Sequence, residues 1–232
     1  MNTPLLDGIR KIARMSERDL IDQSLSVEPD VNRFSKRLEP GDILLFKPSD
    51  RAKMQKTESS PSRGFVQGTG VYSNIKRMFN RGSNWDHAGI YIGDGKSLHV
   101  YPKMNLGDRG YNPADSYVRV HSLKTLAGKH KRDVLAVRPD VSKEQRQRAV
   151  EIAKSFKGER FSKKDLVLTA LAPWAAKGDP GAGEGTICSG IVATAYPDID
   201  FRGGLSRRVV RPSDLHYTSR VREIAALSLD RE

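Results

Sequence analysis

Two histidines and the single cysteine of this chain are the residues whose types could carry out nucleophilic chemistry. His87 and His99 lie in the stretch Asp86 to Tyr101, and Cys188 follows much later, in Thr186-Ile187-Cys188-Ser189-Gly190. A thiolate can attack a carbonyl carbon, an imidazole can take and return the proton, and a further polar group can fix the imidazole tautomer. These residue types therefore indicate acyl-transfer chemistry at Cys188.

Both histidines belong to a predicted β-hairpin. Two short, alternating, β-prone runs flank Gly93-Asp94-Gly95-Lys96, which is a hairpin signal. With a three-residue loop and Gly95 in a left-handed bulge position, His99 lies opposite Gly89 and on the same face as His87. A two-residue turn would put the imidazoles on opposite faces. Gly89 favours the first register, because a glycine opposite His99 leaves room for a ring across the strand.

The cysteine lies at the expected start of a helix. The sequence predicts a helix from about Cys188 to Tyr196, ended by Pro197. At a helix N-terminus, unpaired backbone N–H groups and the macrodipole stabilise an anion, and a histidine alongside would lower the thiol pKa further. We therefore expect a thiolate at neutral pH, with the N–H groups supplying part of an oxyanion hole. His87 is the candidate base and His99 the orienting residue.

The remaining pattern predicts an α+β domain. Its strands cluster apart from its helices, and the run Gly41 to Phe46 is apolar enough for a central strand. Ser142 and Gln145 form a capping-box pattern at the start of a helix. The other predicted elements are strands at 116–121, 133–138 and 220–227, and helices at 142–156 and 165–174.

Domain organisation is expected to be simple. Thr3-Pro4 resembles the start of a basic helix, so residues 1–32 are predicted to be an N-terminal basic arm. A boundary near Asn32 then leaves 33–232 as the catalytic domain, with a basic insertion at about 47–82. The insertion is either a solvated loop or a lid beside the hairpin.

Composition limits the partners and the compartment. The 232 residues carry 40 Lys and Arg against 28 Asp and Glu, a net charge of +12, which attracts polyanions without choosing among them. A single cysteine excludes an intrachain disulfide. The sequence shows neither a secretory signal nor an apolar run of the ~20 residues that a membrane span needs. We expect a soluble protein made in the cytoplasm, which would reach an envelope only by an injection system, a virion or lysis.

A known family combines these motifs in the same order. The Gly-Asp-hydrophobic strand at Gly41, His-Ala-Gly-Ile-Tyr-Ile-Gly at His87, a second histidine at His99 and a late Cys-Ser at Cys188 resemble the circularly permuted NlpC/P60 branch of papain-like cysteine hydrolases. This branch includes YiiX-like peptidases and lecithin:retinol acyltransferase-like proteins, in which the histidine strand precedes the cysteine. The resemblance covers about Gly41 to Leu215 and implies a permuted papain-like fold, with an antiparallel sheet packed against helices.

The resemblance also implies residue roles. It makes Cys188 the nucleophile, His87 the general base and acid, and His99 the third polar residue, without a cofactor. Tyr91, Tyr101 and Ser189 are the candidate substrate-binding residues, with core packing as the alternative for the two tyrosines. Many YiiX-like relatives carry an acidic residue in the third position, whereas the acyltransferase-like proteins carry histidine, so His99 leaves the branch open.

The sequence is compatible with several functional hypotheses. The favoured hypothesis is amide hydrolysis in bacterial cell-wall (peptidoglycan) peptides, with that anionic envelope polymer as partner and a delivery machinery or virion docking through the N-terminal helix. The rivals are acyl transfer or thioester hydrolysis on lipids, supported by His99 and the apolar run Leu166 to Trp174, and cleavage of a protein amide. A zinc site built from His87, His99, Cys188 and Asp86 lacks a paired-ligand spacing. A nucleic-acid-binding or structural role lacks a stacking platform and a recognised motif.

Overall fold

The computed structural model describes residues 26–28, 30–48, 85–101, 117–126, 132–178, 180 and 183–228. Within these ranges the chain forms a mixed seven-stranded sheet in the order β1-β7-β6-β2-β3-β4-β5. The strands are β1 Ser26–Glu28, β2 Ile43–Pro48, β3 His87–Gly93, β4 Lys96–Tyr101, β5 Tyr117–Ser122, β6 Arg132–Pro139 and β7 Val221–Leu227. The helices are α1 Val31–Arg37, α2 Lys143–Ser155, α3 Lys163–Leu171, α4 Cys188–Ala195 and α5 Pro212–Tyr217, with short 3-10 helices at Pro173–Ala175 and Arg207–Val209.

The β2 strand lies at the centre of the sheet, as its apolar sequence predicts. It pairs in antiparallel fashion with β3 on one side and β6 on the other. Ile43 to Phe46 are fully buried, which explains the continuous apolar run of a strand covered on both faces. The strand begins two residues later than expected and continues to Pro48, the start of the predicted insertion. The rest of that insertion, from 49 to 82, and the predicted helix near Thr3 lie outside the described residues.

The sheet is antiparallel except at one edge. There β1 pairs in parallel with β7, Ser26 lying opposite Ala225, so the sheet is mixed rather than fully antiparallel. This edge strand lies before the boundary expected near Asn32, and α1 spans that boundary with Phe34 fully buried. The polar composition of residues 26–40 places a domain boundary near Asn32, yet three paired residues and one buried phenylalanine integrate β1 and α1 into the sheet and its core.

Each face of the sheet carries its own hydrophobic cluster. One cluster joins Ile43, Ala88 and Ile90 to residues of α2 and α4, including Cys188. The cluster on the other face joins Leu44, Phe46 and Tyr91 to Phe34 of α1 and to Leu123 and Leu126. Since side chains alternate along a strand, β3 contributes its odd-numbered residues to this second face.

The helices start and stop where local signals place them. Ser142 caps α2 with the predicted capping box to Gln145. The α3 helix begins two residues before its predicted start, because Ser162 accepts a hydrogen bond from the Asp165 N–H as its N-cap, and it ends at Leu171, two residues before Pro173. The α4 helix begins at Cys188 and ends at Ala195, as predicted. In the parts of the chain described, no helix is long and apolar enough to cross a membrane.

Candidate functional site

The β3–β4 hairpin has the register that the sequence predicts. Ile90 pairs with Leu98 and Tyr91 with Ser97, so the next position brings Gly89 opposite His99. A Cβ atom added at Gly89 would lie 3.2 Å from the His99 Cβ atom. The glycine therefore provides the space that the histidine occupies.

The turn reaches that register by a different route. Gly93 pairs with Lys96, which leaves a two-residue turn of Asp94 and Gly95, with φ angles of 52° and 65°. Left-handed φ values at both positions are typical of a type I′ hairpin turn. The register then shifts by one residue between Tyr91 and Gly93, where Ile92 forms a bulge. The expected three-residue loop is wrong, and the bulge restores the common face that a two-residue turn alone would have removed.

The two histidines form a buried pair on that face. His87 Nε2 lies 2.6 Å from His99 Nδ1, and the ring centroids are 4.8 Å apart. Both rings pack against Phe46, at centroid distances of 5.5 and 5.8 Å. His99 therefore contacts the Nε2 edge of the His87 ring and fixes its orientation.

Cys188 approaches the beginning of the same strand from the helix side. Its Sγ atom accepts hydrogen bonds from the backbone N–H of Ala88, the residue after His87, and from the backbone N–H of Ser189. The N-cap residue Ile187 makes no side-chain capping hydrogen bond to the first turn of α4. The structure thus brings the sulfur to the His87–Ala88 peptide, with α4 on one face of the sheet and the imidazole pair on the other.

Burial sets the protonation of the thiol. Cys188 is only 6% exposed, and this desolvation raises its pKa from 9.0 to about 11, with the negative charge of Asp86 adding to the rise. The Ala88 and Ser189 N–H bonds act in the opposite direction and only partly offset it. The expected low-pKa thiolate is therefore wrong, because burial outweighs the helix N-terminus.

An ion pair lies beside the site. Asp86, which directly precedes His87, accepts a hydrogen bond from the Arg132 guanidinium at 2.5 Å. The two side chains are 5% and 13% exposed. This pair fixes the chain immediately before the histidine and limits the field that Asp86 exerts on the sulfur.

The candidate substrate-binding residues have mainly structural contacts. The Tyr91 ring is buried in the second cluster, and its hydroxyl accepts a hydrogen bond from the Gly95 N–H at 3.0 Å, which braces the turn. The Ser189 hydroxyl is fully buried and donates to the Val210 carbonyl at 2.6 Å. These contacts explain Tyr91 and Ser189 as packing and anchoring residues. Tyr101 continues β4 opposite Tyr117, and its side chain lies outside the described part of the structure.

Sequence reasoning missed two neighbours of the histidine pair. His121 on β5 packs against His99 with ring centroids 4.8 Å apart. Arg132 on β6 pairs with Asp86 as described above. The alternation of β5 could have placed His121 on the histidine face, but the pairing of Asp86 with a residue 46 positions away had no local signal. Among the described residues, no group of three histidine, cysteine or acidic side chains is arranged to hold a metal ion.

Comparison with models of known protein families gives no match, and comparison with curated protein sequences gives none either. The fold and site themselves define a class: an α+β protein with a mixed seven-stranded sheet, a buried cysteine at a helix N-terminus and paired histidines on adjacent strands.

Proposed function

We propose that this protein is a cysteine hydrolase that cleaves an amide bond through an acyl-enzyme at Cys188, with a permuted papain-like fold. The observation that supports this most strongly is the meeting of Cys188 Sγ with the Ala88 N–H, next to a histidine whose Nε2 atom lies 2.6 Å from a second histidine. The order of the elements agrees with it, since β3 and β4 precede α4 in the chain.

The mechanism starts from a neutral thiol, because burial raises the pKa of Cys188. As Sγ attacks the substrate carbonyl, its proton passes to the His87 imidazole. Because the imidazole pair lies on the face of the sheet opposite α4, this transfer runs around the start of β3 through a bridging water or substrate group and is not direct. The developing oxyanion is stabilised by first-turn N–H groups of α4. His99 Nδ1 faces His87 Nε2, which fixes the ring and spreads the imidazolium charge. The C–N bond then breaks as His87 returns the proton to the amine, and water attacks the thioester to release the acid and regenerate the thiol.

Cell-wall peptides are the favoured substrate class. The net charge of +12 suits an anionic envelope polymer. The histidine and cysteine motifs resemble those of a family whose members most often cleave amides in cell-wall peptides. The test is mass spectrometry of purified peptidoglycan incubated with the wild-type protein or with Cys188→Ala. New stem-peptide ends that require Cys188 would support the proposal and name the bond.

A matched control separates chemistry from folding. Ser155→Ala alters an exposed serine on α2, far along the chain from the site, and should release the same products as the wild type. If wild-type protein releases no peptides although p-nitrophenyl acetate acylates Cys188, the cell wall is not the substrate. If Cys188 is not acylated by any activated ester, the cysteine-hydrolase proposal itself is wrong.

A second substrate class is favoured by one observation. Val167, Leu171 and Trp174 are exposed apolar side chains, 39%, 49% and 74% accessible, on and just after α3. An apolar surface of this kind suits an acyl chain, so lipid acyl transfer or thioester hydrolysis is the alternative. The test is incubation with phospholipid. A fatty-acyl adduct on Cys188 that is absent in Cys188→Ala would favour the lipid hypothesis.

A further inference from the structure

Three exposed apolar side chains follow one another along α3 and the 3-10 turn after it. Val167, Leu171 and Trp174 are 39%, 49% and 74% exposed, and we call these three residues the apolar ridge. Trp174 is the more exposed of the two tryptophans in the chain, since Trp85 is 9% exposed. An exposed tryptophan close to exposed aliphatic side chains is typical of an interaction surface.

The ridge follows from the helical period. Residues four apart lie one above the other on a helix, so Lys163, Val167 and Leu171 share the outward face of α3. The inward face carries Asp165, Leu166 and Thr169, which are buried. The usual pattern of a surface helix places polar residues outward, so the outward Val167 and Leu171 reverse it. Among the described residues, the hydrophobic clusters of the core include neither Val167 nor Leu171.

Positive charge borders the ridge at both ends. Lys163 and Lys164 lie in the first turn of α3 and Lys177 follows Trp174, all three exposed. In the described part of the chain none of these lysines takes part in an ion pair.

Two acidic groups lie in the same region, and Asp165 and Glu184 both pair with the Arg208 guanidinium. These three residues line a cavity of about 570 Å³ together with Lys164 and Lys177. Three cations thus stand against two carboxylates there, and the exposed Lys163 adds to this excess of positive charge.

We propose that the apolar ridge and its flanking lysines dock the protein on the surface of an anionic phospholipid bilayer. Tryptophan and aliphatic side chains insert at the headgroup boundary, while lysines beside them meet lipid phosphates. Charge supports an anionic bilayer as the partner, because the chain carries a net charge of +12 and is attracted to a negatively charged surface. Binding would be peripheral and reversible.

Docking would bring the candidate site close to the bilayer. Leu166, on the inward side of α3, packs against Ile187, the N-cap residue of the cysteine helix. A bilayer on the outer face of α3 therefore lies on the side of the molecule where α4 begins. The proposal does not depend on hydrolysis, since it rests on exposure and charge alone.

Vesicle co-sedimentation of the full chain carrying Cys188→Ala tests the docking without lipid turnover. Vesicles of phosphatidylcholine with phosphatidylglycerol should carry the protein down, and pure phosphatidylcholine should carry much less. Trp174 emission should shift to shorter wavelength on binding, and a parallel sample with Trp174→Phe should lose that shift.

Paired variants separate the ridge from general charge. Leu171→Ser with Trp174→Ala should reduce binding at least tenfold through lost apolar burial. Lys163→Glu with Lys164→Glu should reduce it by about thirtyfold or more, most strongly at low salt. The matched charge control is Lys143→Glu with Lys157→Glu, two exposed lysines at the start of α2 and two residues after its end. The matched apolar control is Val120→Ser on β5. Both controls should bind much more strongly than the ridge variants.

Three outcomes would overturn the proposal. Absence of sedimentation at low salt would exclude the bilayer. Equal binding by ridge variants and controls would assign the affinity to net charge elsewhere. A concentration-dependent dimer that buries Trp174 without vesicles would identify a second copy of the chain as the occupant. None of these results bears on whether Cys188 forms an acyl-enzyme, so the two proposals fail separately.

Discussion

Gly89 lies so close to His99 that a Cβ atom added to the glycine would come within 3.2 Å of the histidine Cβ atom. The same added atom would lie 3.1 Å from the Leu98 carbonyl oxygen. Gly89→Ala should therefore displace the His99 strand by a few tenths of an ångström and lower the free energy of unfolding by about 1 to 3 kcal/mol. Urea unfolding of the variant gives this value directly.

A size swap checks the cause of that loss. Gly89→Ala combined with His99→Gly removes the crowded histidine Cβ atom, so the double variant should lose less stability than the sum of the two single changes. Activity should not return, because the imidazole is gone. Strict additivity of the two stability losses would show that the contact is not the source of the strain.

His99 should control the rate of acyl-enzyme formation. With His99→Ala, His87 loses the partner 2.6 Å from its Nε2 atom, so its tautomer and orientation are no longer fixed. The burst of p-nitrophenol from p-nitrophenyl acetate should slow by about a hundredfold or more. His99→Asp should recover part of the rate, because a carboxylate can also orient the imidazole; a wild-type rate in His99→Ala would remove His99 from the mechanism.

The thiol of Cys188 should respond to pH in two measurable ways. Since burial raises its pKa to about 11, alkylation by iodoacetamide should be slow at neutral pH and rise steeply between pH 8 and 11. The folded protein keeps the proton between pH 9 and 11, whereas the unfolded chain releases it. Stability from this group is thus complete below about pH 9 and falls by about 3 kcal/mol as pH rises to 11.

Cys188→Ala is the control for the stability effect. The variant should not show the part of the stability loss at alkaline pH that comes from Cys188. Burial also raises the pKa of Tyr196, and any stability loss from that residue should remain in both proteins. A rapid alkylation at neutral pH that His87→Ala abolishes would contradict the neutral thiol and restore a thiolate–imidazolium pair.

Substitutions at Asp86 and Arg132 should shift the pKa of Cys188 in opposite directions. Asp86 raises the pKa of Cys188 through its charge, so Asp86→Asn should lower that pKa and speed alkylation at pH 8 to 9. Arg132→Met removes the partner of Asp86 and should slow alkylation. Each change should also cost about 3 kcal/mol of stability, because it breaks a buried ion pair and removes only one of its two charges. Equal shifts in one direction would exclude the electrostatic explanation.

The Tyr196 hydroxyl connects the end of the cysteine helix to the start of the central strand. It is buried, 3% exposed, and donates to the Gly41 carbonyl. Tyr196→Phe should lower the free energy of unfolding by about 1 to 2 kcal/mol, since the buried carbonyl loses a donor. Thermal unfolding followed by circular dichroism measures it; Tyr217→Phe, at a 57% exposed position, is the matched control and should change little.

Local sequence patterns predicted most of the elements and the histidine pair. The capping box at Ser142, the helix start at Cys188 and the apolar β2 strand each depend on neighbours in sequence, and the structure agrees with them. The face shared by His87 and His99 was also predicted, from the space that Gly89 provides.

What the sequence could not predict depends on distant residues. The Ile92 bulge changes the parity of β3, and a short turn motif contains no sign of it. The burial of Cys188 comes from α4 packing on the sheet, and this outweighs the local helix N-terminus. The β1–β7 pairing joins segments that are about 200 residues apart in the chain, so the local sequence of neither segment predicts it.

That parallel pair also has a consequence for the order of folding. The β3–β4 hairpin closes a two-residue turn, whereas Ser26 and Ala225 meet only when a loop of about 200 residues is closed. Loop-closure entropy grows with length, so the histidine hairpin is expected among the earliest native contacts and the β1–β7 edge among the latest. The same edge, three residues long, should open first under mild denaturant, leaving the histidine pair assembled.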